Sequence, residues 1–560
     1  MRSVNLDKTA MKKKLLVIPD MKGEFCVFKN NLRILAGKPL IAYAIEAAQR
    51  CTTQPLDIVV TTNDASVIHL CDTYSIPAIP NQFIDTGNDP DVTLDPIIND
   101  TVRKVERERN HKYDIIITLQ PTSPLIKAET IDAALNIFEH SDYDTILSAI
   151  NEPRLAWKRT SNGFLPQYAE RKNRNNLPEY LVETGTFLIC DRTNLMSGSR
   201  IGEKVYIYQL PKNEGLEIIN EYDWLIAEKE LSKKTILIRL DGYVTIGMGH
   251  IYRGLQLANM LFEHKIIFVI SHKSELAEKK IKDLGYTYIV INDNIEILEI
   301  IKNTQADIVI NDILNTDAAY MKQLSASHVR VVNLEDLGDG AVYADAVIND
   351  LYEPQNELSN FYWGSRFYCL REEYFNAKRN PKTNTFIREI LVSLGGTDPS
   401  HLTEKVVEAC LGLPTTASCN ITLILGAGNS SYEKIMDLIK SAPKHISFNV
   451  LQDVSSLSFF MEKADLAISS QGRTMYELAY MTVPTIIMAQ NPRELTHEFG
   501  YLSNGFINLG LGTDIDVHTI CETIVWLMNC PQIRQQMKKR MASMDLEKGI
   551  YRVKKIILGE

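Results

Sequence analysis

The chain of 560 residues lacks any apolar run close to the ~20 residues that a membrane-spanning helix needs. Its apolar runs, such as Ile115–Thr118 and Leu423–Leu425, have the length of β-strands. The basic and apolar start reaches Pro19 and Asp20 too early for a secretory signal peptide, and no small-residue cleavage site follows. We therefore expect a short tail, then a first strand, in a cytoplasmic protein without a membrane span.

Positive charge is also scarce. The 60 Lys and Arg residues are outnumbered by 70 Asp and Glu residues, which gives a formal net charge of −10. Nucleic-acid-binding proteins usually carry a basic surface, so the composition argues against a nucleic-acid partner. Nucleotides are not excluded, because local loops and helix N-termini hold them.

Paired cysteines are missing as well. The nine cysteines are scattered, their number is odd, and none forms a CxxC pair. This pattern is typical of reduced thiols and argues against a disulfide framework or a zinc cluster.

What the sequence does contain is a regular alternation of short β-branched runs with helical patterns, which is typical of parallel sheets with crossover helices. The pattern restarts at Leu231–Lys234, and a polar stretch, Ala377–Thr385, interrupts it again. Because domains usually have ~100–200 residues, we predict three α/β regions: 11–232, 233–380 and 381–560. Two consecutive α/β lobes leave a cleft at the carboxyl ends of their strands, where ligands usually bind.

The first region carries polar residues where a predicted strand ends. In LQPTSPL (Leu119–Leu125) two prolines fix the backbone, so Gln120 and Ser123 present hydrogen-bonding groups at the sheet edge. Taken alone, this segment is also compatible with a rigid turn. LAGKPLIAYAIEAA and TTND precede it, and NRNNLPEYLVETG and EIINEYDWLIAE follow it.

Together these segments resemble the cytidylyltransferases that convert sialic and related nonulosonic acids to CMP-sugars. The resemblance implies a Rossmann-like nucleotidyltransferase fold, CTP and a nonulosonic acid as substrates, Mg²⁺ in an active enzyme, and a homodimer through this domain. The positions that match the motif residues of the family are Lys38, Gln120, Ser123, Arg174 and Glu217.

The loop that holds the triphosphate in that family is altered here. It reads IPDMKGEFCVFKNN, in which Met21, Glu24 and Phe25 stand where the family has Arg, Ser and Lys. Asp20 and Glu24 add negative charge, and each like-charge contact at ~4 Å costs about 1–4 kcal/mol. The remaining departures are Ile126 in place of an Arg and Ile219 in place of a metal-binding carboxylate. Three interpretations stay open: a working synthetase, a domain that binds ligand without catalysis, and a structural or oligomerising domain.

The second region begins with a glycine-rich turn that precedes a histidine. Gly247 and Gly249 lie directly before His250, and a helical pattern follows. Such a turn lets the backbone approach a ligand, and a helix N-terminus disfavours a charged His, so His250 is suited to act as a base. A capping or packing role is the alternative for an isolated GxGH. Asp241 and Arg253 flank the motif and favour a functional role.

Two further turns lie in the last region. LVSLGGTDPS places Gly395, Gly396 and Thr397 after a strand, and Thr397 and Asp398 are positioned to cap the next helix. In SSQGRTMYELAY the turn suits a pyrophosphate, and Glu477 is placed to bind ribose hydroxyls.

In this order the segments resemble the UDP-sugar hydrolase of pseudaminic acid biosynthesis, a relative of the GT-B glycosyltransferases. The resemblance implies a two-lobed GT-B-like fold and removal of UDP from a UDP-2,4-diacetamido-2,4,6-trideoxyhexose by water, without a cofactor. It assigns water activation to His250 and the shape of the loop to Gly249 and Arg253. It further assigns UDP binding to Gly395, Gly396, Thr397, Thr474 and Glu477, and sugar contacts to Gln490 and Asn491.

The sequence therefore predicts a fusion of a cytidylyltransferase-like domain, 11–232, with the first lobe, 233–380, and the UDP-binding lobe, 381–560, of a hydrolase. A UDP-sugar-dependent glycosyltransferase and a nucleotide-sugar-binding scaffold are the alternatives.

Overall fold

The computed structural model describes residues 12–21, 31–84, 93–243, 249–379, 384–426, 428–454 and 456–560. The chain divides into two compact units, Met1–Lys233 and Lys234–Glu560. We refer to them as the first and the second unit. The division falls at the point where the sequence pattern restarts. Among the described residues, every helix is too short or too polar to cross a membrane.

The first unit is built on a mixed sheet with strand order β11-β7-β10-β6-β1-β4-β5. Its strands are β1 (Lys14–Pro19), β2 (Ile34–Leu35), β3 (Lys38–Pro39), β4 (Leu56–Thr61), β5 (Ala78–Ile79), β6 (Ile115–Leu119), β7 (Thr145–Asn151), β8 (Trp157–Thr160), β9 (Gly163–Pro166), β10 (Leu181–Asp191) and β11 (Val205–Leu210). Its helices are α1 (Leu40–Gln49), α2 (Ala65–Thr73), α3 (Leu94–Arg109), α4 (Ala128–Glu139), α5 (Arg192–Ser197) and α6 (Glu221–Leu231).

Hydrophobic burial on both faces explains this sheet. All residues of β1 are buried, and β1 pairs in parallel with β4 and β6. Apolar clusters cover one face with α1 and α4 and the other with α3. Strands buried on both faces read as continuous apolar runs, which is why the sequence pattern identified them. β10 runs antiparallel to β6 and β7, a reversal that the pattern did not predict.

The second unit begins with a parallel sheet, the first lobe, with order β14-β13-β12-β15-β16-β17-β18. Its elements are β12 (Thr235–Leu240), α7 (Gly249–Met260), β13 (Lys265–Ser271), α8 (Glu275–Asp283), β14 (Thr287–Ile291), α9 (Ile297–Thr304), β15 (Ile308–Asp312), α10 (Ala318–Ser325), β16 (Arg330–Leu334), β17 (Ala346–Asn349), β18 (Phe361–Trp363) and α11 (Glu372–Phe375).

The second lobe repeats the design with order β21-β20-β19-β22-β23-β24. Its elements are β19 (Glu389–Ser393), α12 (Leu402–Leu411), β20 (Cys419–Leu425), α13 (Tyr432–Ile439), β21 (Ile446–Gln452), α14 (Ser458–Met461), β22 (Leu466–Ser470), α15 (Thr474–Tyr480), β23 (Thr485–Ala489), β24 (Phe506–Leu511), α16 (Val517–Asn529) and α17 (Pro531–Ala542).

Both lobes have the doubly wound strand order, in which successive strands are added first toward one edge of the sheet and then toward the other, with the change between two central strands. The change lies between β12 and β15 in the first lobe and between β19 and β22 in the second. Ligands of such sheets bind in the crevice outside the carboxyl ends of these strands. The expected α/β class with two Rossmann-like lobes is confirmed.

The last helix lies within the third predicted region, 381–560, but packs against the first lobe. Helix α18 (Gly549–Leu558) leaves the second lobe and packs against the first, where Val553, Ile557 and Leu558 join its apolar core. Arg330 donates to the main-chain oxygens of Ile556 and Ile557 and anchors the end of this helix. The sequence pattern marks an amphipathic helix but not its partner.

Candidate functional site

A cavity of about 510 Å³ lies in the second unit, between the carboxyl ends of its two sheets. This volume is in the range of small-molecule sites. Loops of both lobes form its wall. The site residues predicted from the sequence that line it are His250, Gly249, Arg253, Gly395, Gly396, Thr397, Thr474, Glu477, Gln490 and Asn491.

His250 is held by a buried carboxylate. Its Nδ1 lies 2.5 Å from Oδ1 of Asp312, the last residue of β15. Because a carboxylate accepts, Nδ1 carries the hydrogen of this bond, and Nε2 is the ring nitrogen that remains for a proton transfer. No described residue forms a hydrogen bond with Nε2, and the His250 side chain lines the cavity. The pair therefore has the geometry of a general base with an orienting carboxylate.

Arg253, one turn after His250 on α7, fixes the same carboxylate. Its Nε donates to Asp312 Oδ2 at 2.7 Å, and a second guanidinium nitrogen donates to Oδ1. Burial alone would raise the pKa of Asp312, but Arg253 and His250 outweigh it and lower the pKa. Asp312 therefore stays ionised beside the histidine.

The ion pairs continue from Arg253 across both lobes. Glu335 follows β16 with a positive φ of 52° and accepts from Arg253 and from Arg473 of the second lobe. Arg473 also donates to Asp350 Oδ2 at 2.7 Å. Burial opposes ionisation of Glu335, yet the two arginines lower its pKa, whereas burial raises the pKa of Asp350. A non-glycine residue in this backbone region is uncommon and is often found at functional sites.

The Gly-Gly turn of the second lobe is anchored from two sides. Gly395 has a φ of 97°, which favours glycine, and Asp398 accepts from the main-chain nitrogens of Leu402 and Thr403 at the start of α12. The predicted capping role of Asp398 is thus confirmed, while Thr397 lines the cavity. Gln490 donates to Leu394 O and to Asp398 Oδ1, so its amide nitrogen supports the turn.

Glu477 lies on α15 in the cavity wall, next to Thr474. Its carboxylate oxygens accept from Arg371 Nε at 2.8 Å and from the Tyr374 hydroxyl at 2.9 Å. The residue that is predicted to bind ribose is therefore held in place by two donors from the segment after β18.

The two other loop residues predicted from the sequence are Asp241 and Gly247. Asp241 does not line the cavity, because Arg239 binds both of its oxygens and Ser274 donates to one of them. These contacts lower its pKa to about 2 against the effect of burial. Asp241 thus anchors the end of β12. Gly247 lies outside the described residues.

Sequence reasoning missed several charged residues of this site, namely Asp312, Glu335, Asp350, Arg473, Arg493 and Glu494. Asp312 and Glu335 each stand at or directly after the end of a strand, the position that made Gln120 a candidate in the first region. Burial raises the pKa of Glu494 to about 7.

In the first unit, the structure brings Gln120 and Glu217 together around Gly185. The Gly185 nitrogen donates to Glu217 Oε2 at 3.2 Å. A Cβ atom on Gly185 would lie 2.6 Å from Glu217 Oε1 and 2.7 Å from Gln120 Nε2, so any larger residue there would displace the ends of these two side chains. Ser123, three residues after Gln120, is buried. Its hydroxyl has no hydrogen-bond partner among the described residues.

The other candidates of this unit have different surroundings. Lys38 pairs with Glu46 at 2.8 Å, and Arg174 is exposed in a short 3₁₀ turn. Ile219 is exposed, which leaves Glu217 as the carboxylate at the position of the metal pair. This donor set does not fit Mg²⁺, which prefers several oxygen ligands. Among the described residues, no cluster of His, Cys, Asp and Glu could hold a metal.

Asp20, from the altered loop, is buried and held by neutral donors. Its Oδ1 accepts from Asn31 Nδ2 and its Oδ2 accepts from the Thr62 hydroxyl, both at 2.7 Å. The carboxylate thus joins the end of β1 to two neighbouring segments, a role that the sequence did not predict. Glu24 and Phe25 lie outside the described residues.

Comparisons with known proteins find similarity over parts of the chain. Residues 28–234 match the family model of cytidylyltransferases. A CMP-N,N'-diacetyllegionaminic acid synthase of Legionella pneumophila is 27% identical and covers 40% of this chain and 99% of its own length. The spore coat polysaccharide biosynthesis protein SpsG of Bacillus subtilis is 25% identical and covers 57% of this chain and 96% of its own length. An uncharacterized protein of Methanocaldococcus jannaschii is 28% identical over 56% of this chain and 71% of its own length.

Among solved structures, MurG of Acinetobacter baumannii aligns with a TM-score of 0.47 at 15% identity, over 58% of this chain and all of that one. A CMP-2-keto-3-deoxy-manno-octonic acid synthetase aligns with a TM-score of 0.29 at 16% identity, over 40% of this chain and 99% of that one. The family match and the strand orders agree: the protein is an α/β chain whose residues 28–234 match the cytidylyltransferase model and whose second unit has two doubly wound lobes in a GT-B-like order.

Proposed function

We propose that the second unit is a UDP-sugar hydrolase that releases UDP from a UDP-2,4-diacetamido-2,4,6-trideoxyhexose. The observation that carries this proposal is the His250–Asp312 pair, because His250 lines a cavity at the carboxyl ends of both sheets and its Nε2 has no hydrogen-bond partner among the described residues. A base in this place is suited to activate water next to a bound nucleotide sugar.

The proposed reaction uses one water molecule. His250 Nε2 takes a proton from the water while its oxygen forms a bond to the anomeric carbon. The bond from that carbon to the phosphate oxygen breaks, and its electron pair leaves with UDP. Asp312 keeps the ring in the required tautomer and stabilises the imidazolium that forms, as carboxylates do in other catalytic triads and dyads. The proton then passes from His250 to solvent.

UDP is assigned to the second lobe. The anchored turn of Gly395, Gly396 and Thr397 lines the same cavity as Thr474 and Glu477. Main-chain nitrogens of such turns bind phosphate oxygens, and the carboxylate of Glu477 is positioned for ribose hydroxyls. Asn491 and the groups around His250 are left for the sugar.

The test is a UDP-release assay across epimers of UDP-2,4-diacetamido-2,4,6-trideoxyhexose, with no acceptor present. We expect turnover for one epimer by the wild type and at least ~10³-fold slower release by His250→Ala, because a triad residue typically contributes this much. UDP should bind both proteins with similar affinity. Full activity of His250→Ala would contradict the proposal, and UDP binding without any release would favour the scaffold alternative.

A glycosyltransferase is the second candidate, because the similar protein SpsG is named for polysaccharide biosynthesis. His250 could equally take a proton from a hydroxyl of an acceptor sugar. Release of free sugar without acceptor supports hydrolysis, whereas release that begins only when an acceptor is added supports transfer.

For the first unit we propose a domain that binds a cytidine nucleotide or a nonulosonic acid and has lost efficient catalysis. The family match begins at residue 28, after most of the altered loop, and the Gln120–Gly185–Glu217 arrangement is present. Formation of a CMP-sugar from CTP and a nonulosonic acid with Mg²⁺ tests this, since fast turnover would contradict it. The homodimer through this unit stays a prediction.

A further inference from the structure

Two buried side-chain nitrogens in the cavity wall have no hydrogen-bond partner among the described residues: Gln256 Nε2 and His497 Nε2. Buried polar atoms are nearly always paired in native proteins, so an unpaired one calls for an explanation. The surroundings of His497 are the better defined of the two. Its side chain is only 5% exposed, and Gln471 and Tyr352 contact its ring.

The contacts of His497 fix its tautomer. Nδ1 lies 2.8 Å from the main-chain oxygen of Gln471, which can only accept, so Nδ1 carries the hydrogen. The amide of Gln471 donates in return to the main-chain oxygen of His497. Burial lowers the pKa of His497, and the neutral ring leaves Nε2 as an acceptor. What is missing is therefore a donor.

The position of the ring indicates which part of a ligand supplies that donor. The ring of Tyr352 packs edge-on against His497 with centroids 5.2 Å apart, and Arg493 donates to the Tyr352 hydroxyl and to the main-chain oxygen of Glu335. Glu335 belongs to the ion-pair chain that continues through Arg253 to the His250–Asp312 pair. His497 thus lies between the turn at Gln471, which is predicted to hold the pyrophosphate, and the residues that lead to the His250–Asp312 pair. In the proposed function the sugar extends from the pyrophosphate toward that pair, so its polar groups pass this position.

Charged neighbours do not supply the donor. Arg493 is engaged with Tyr352 and Glu335, and Arg473 is engaged with Glu335 and Asp350. A neutral hydroxyl or amide N–H is the remaining donor type that a nucleotide sugar offers here.

We propose that His497 determines sugar specificity by accepting a hydrogen bond from a hydroxyl or amide N–H of the sugar part of the substrate. This inference rests on the proposed function of the second unit. It assigns no chemical step to His497, whose role is to distinguish sugars that carry the donor from sugars that lack it.

The test compares binding of a UDP-2,4-diacetamido-2,4,6-trideoxyhexose with binding of UDP alone, in proteins that also carry His250→Ala so that no substrate is consumed. His497→Phe should weaken the sugar nucleotide roughly tenfold or more and leave UDP within about twofold, because only the sugar contact is lost. His497→Gln, whose Oε1 can replace Nε2, should restore affinity to within about threefold. His518→Phe, at an exposed helical position, is the matched control and should change neither affinity.

Equal weakening of UDP and the sugar nucleotide by His497→Phe would assign His497 a structural role and overturn the proposal, and so would unchanged binding of both. UDP binding by each variant reports that it is folded. The proposed function fails separately: a wild-type protein that binds the sugar nucleotide but never releases UDP contradicts the hydrolase, whatever His497 does to binding.

Discussion

Two buried aspartates stand at the carboxyl ends of central strands in the two units, and their partners differ. Asp20 follows β1 and accepts from an amide and a hydroxyl, Asn31 and Thr62. Asp312 ends β15 and accepts from an imidazole and a guanidinium, His250 and Arg253. The first carboxylate joins segments of backbone. The second holds His250, the proposed base, in the wall of a cavity.

A third aspartate, Asp241 after β12, lies between these cases, since Arg239 and two serines hold it away from the cavity. Of the three carboxylates, only Asp312 has a partner, His250, that lines the cavity, and the proposed function therefore gives a catalytic role to Asp312 alone. Substitution of Asp312 should therefore lower the rate of UDP release, whereas substitution of Asp241 or Asp20 should lower stability.

The largest effect is expected for Asp312→Asn. The amide cannot hold His250 in the tautomer that leaves Nε2 free, so kcat for UDP release should fall about 10³–10⁴-fold, as it does for the equivalent change in other triads. Affinity for UDP should stay within about threefold. Steady-state kinetics and a UDP titration measure both quantities, and a loss smaller than tenfold would remove Asp312 from the catalytic pair.

The second largest effect is expected for Glu335→Gln, as a loss of stability. Two buried arginines would lose one shared negative partner, and breaking such a buried pair costs about 3–5 kcal/mol. Denaturant unfolding of the second unit measures the loss. Lys440→Gln, which breaks an exposed pair with Asp437, is the control and should change stability by less than about 1 kcal/mol.

Asp241→Asn should have a smaller, pH-dependent effect. The pKa of Asp241 is lowered from 3.8 to about 2, which corresponds to about 2 kcal/mol of unfolding free energy at neutral pH. This contribution is present above pH 4 and is lost as the pH falls toward 2. The stability difference between wild type and variant should therefore shrink in that window, and a difference that is constant with pH would contradict the assignment.

The smallest effect is expected for Asp20→Asn. One oxygen becomes an NH₂ group that cannot accept from Asn31 or Thr62, so the first unit should lose about 1–2 kcal/mol of stability. CTP affinity, measured by titration, should not rise. A marked gain in CTP binding would instead show that the charge of Asp20 repels the triphosphate.

Much of this fold could be predicted from local sequence. The apolar run Ile115–Thr118 identified β6, and the apolar start before Pro19 and Asp20 identified β1, because both strands are buried on both faces. The placement of α18 on the first lobe could not be predicted, since it depends on a partner surface more than 200 residues earlier in the chain.

The site also contains residues that a local motif predicts and residues that only the tertiary structure brings together. His250 and Arg253 share one turn of one helix, so a short motif marked both. Asp312 is 62 residues away and stands in an ordinary buried strand, and Arg473 meets Glu335 only when two lobes come together. Pairings of this kind arise from tertiary structure, and no single segment records them.

The most direct test of the central claim is UDP release in water enriched in ¹⁸O, followed by mass spectrometry of both products. Attack of water at the anomeric carbon, with His250 as base, predicts one ¹⁸O atom in the freshly released sugar and none in UDP. Incorporation of ¹⁸O into UDP would place the attack on phosphorus and contradict the account.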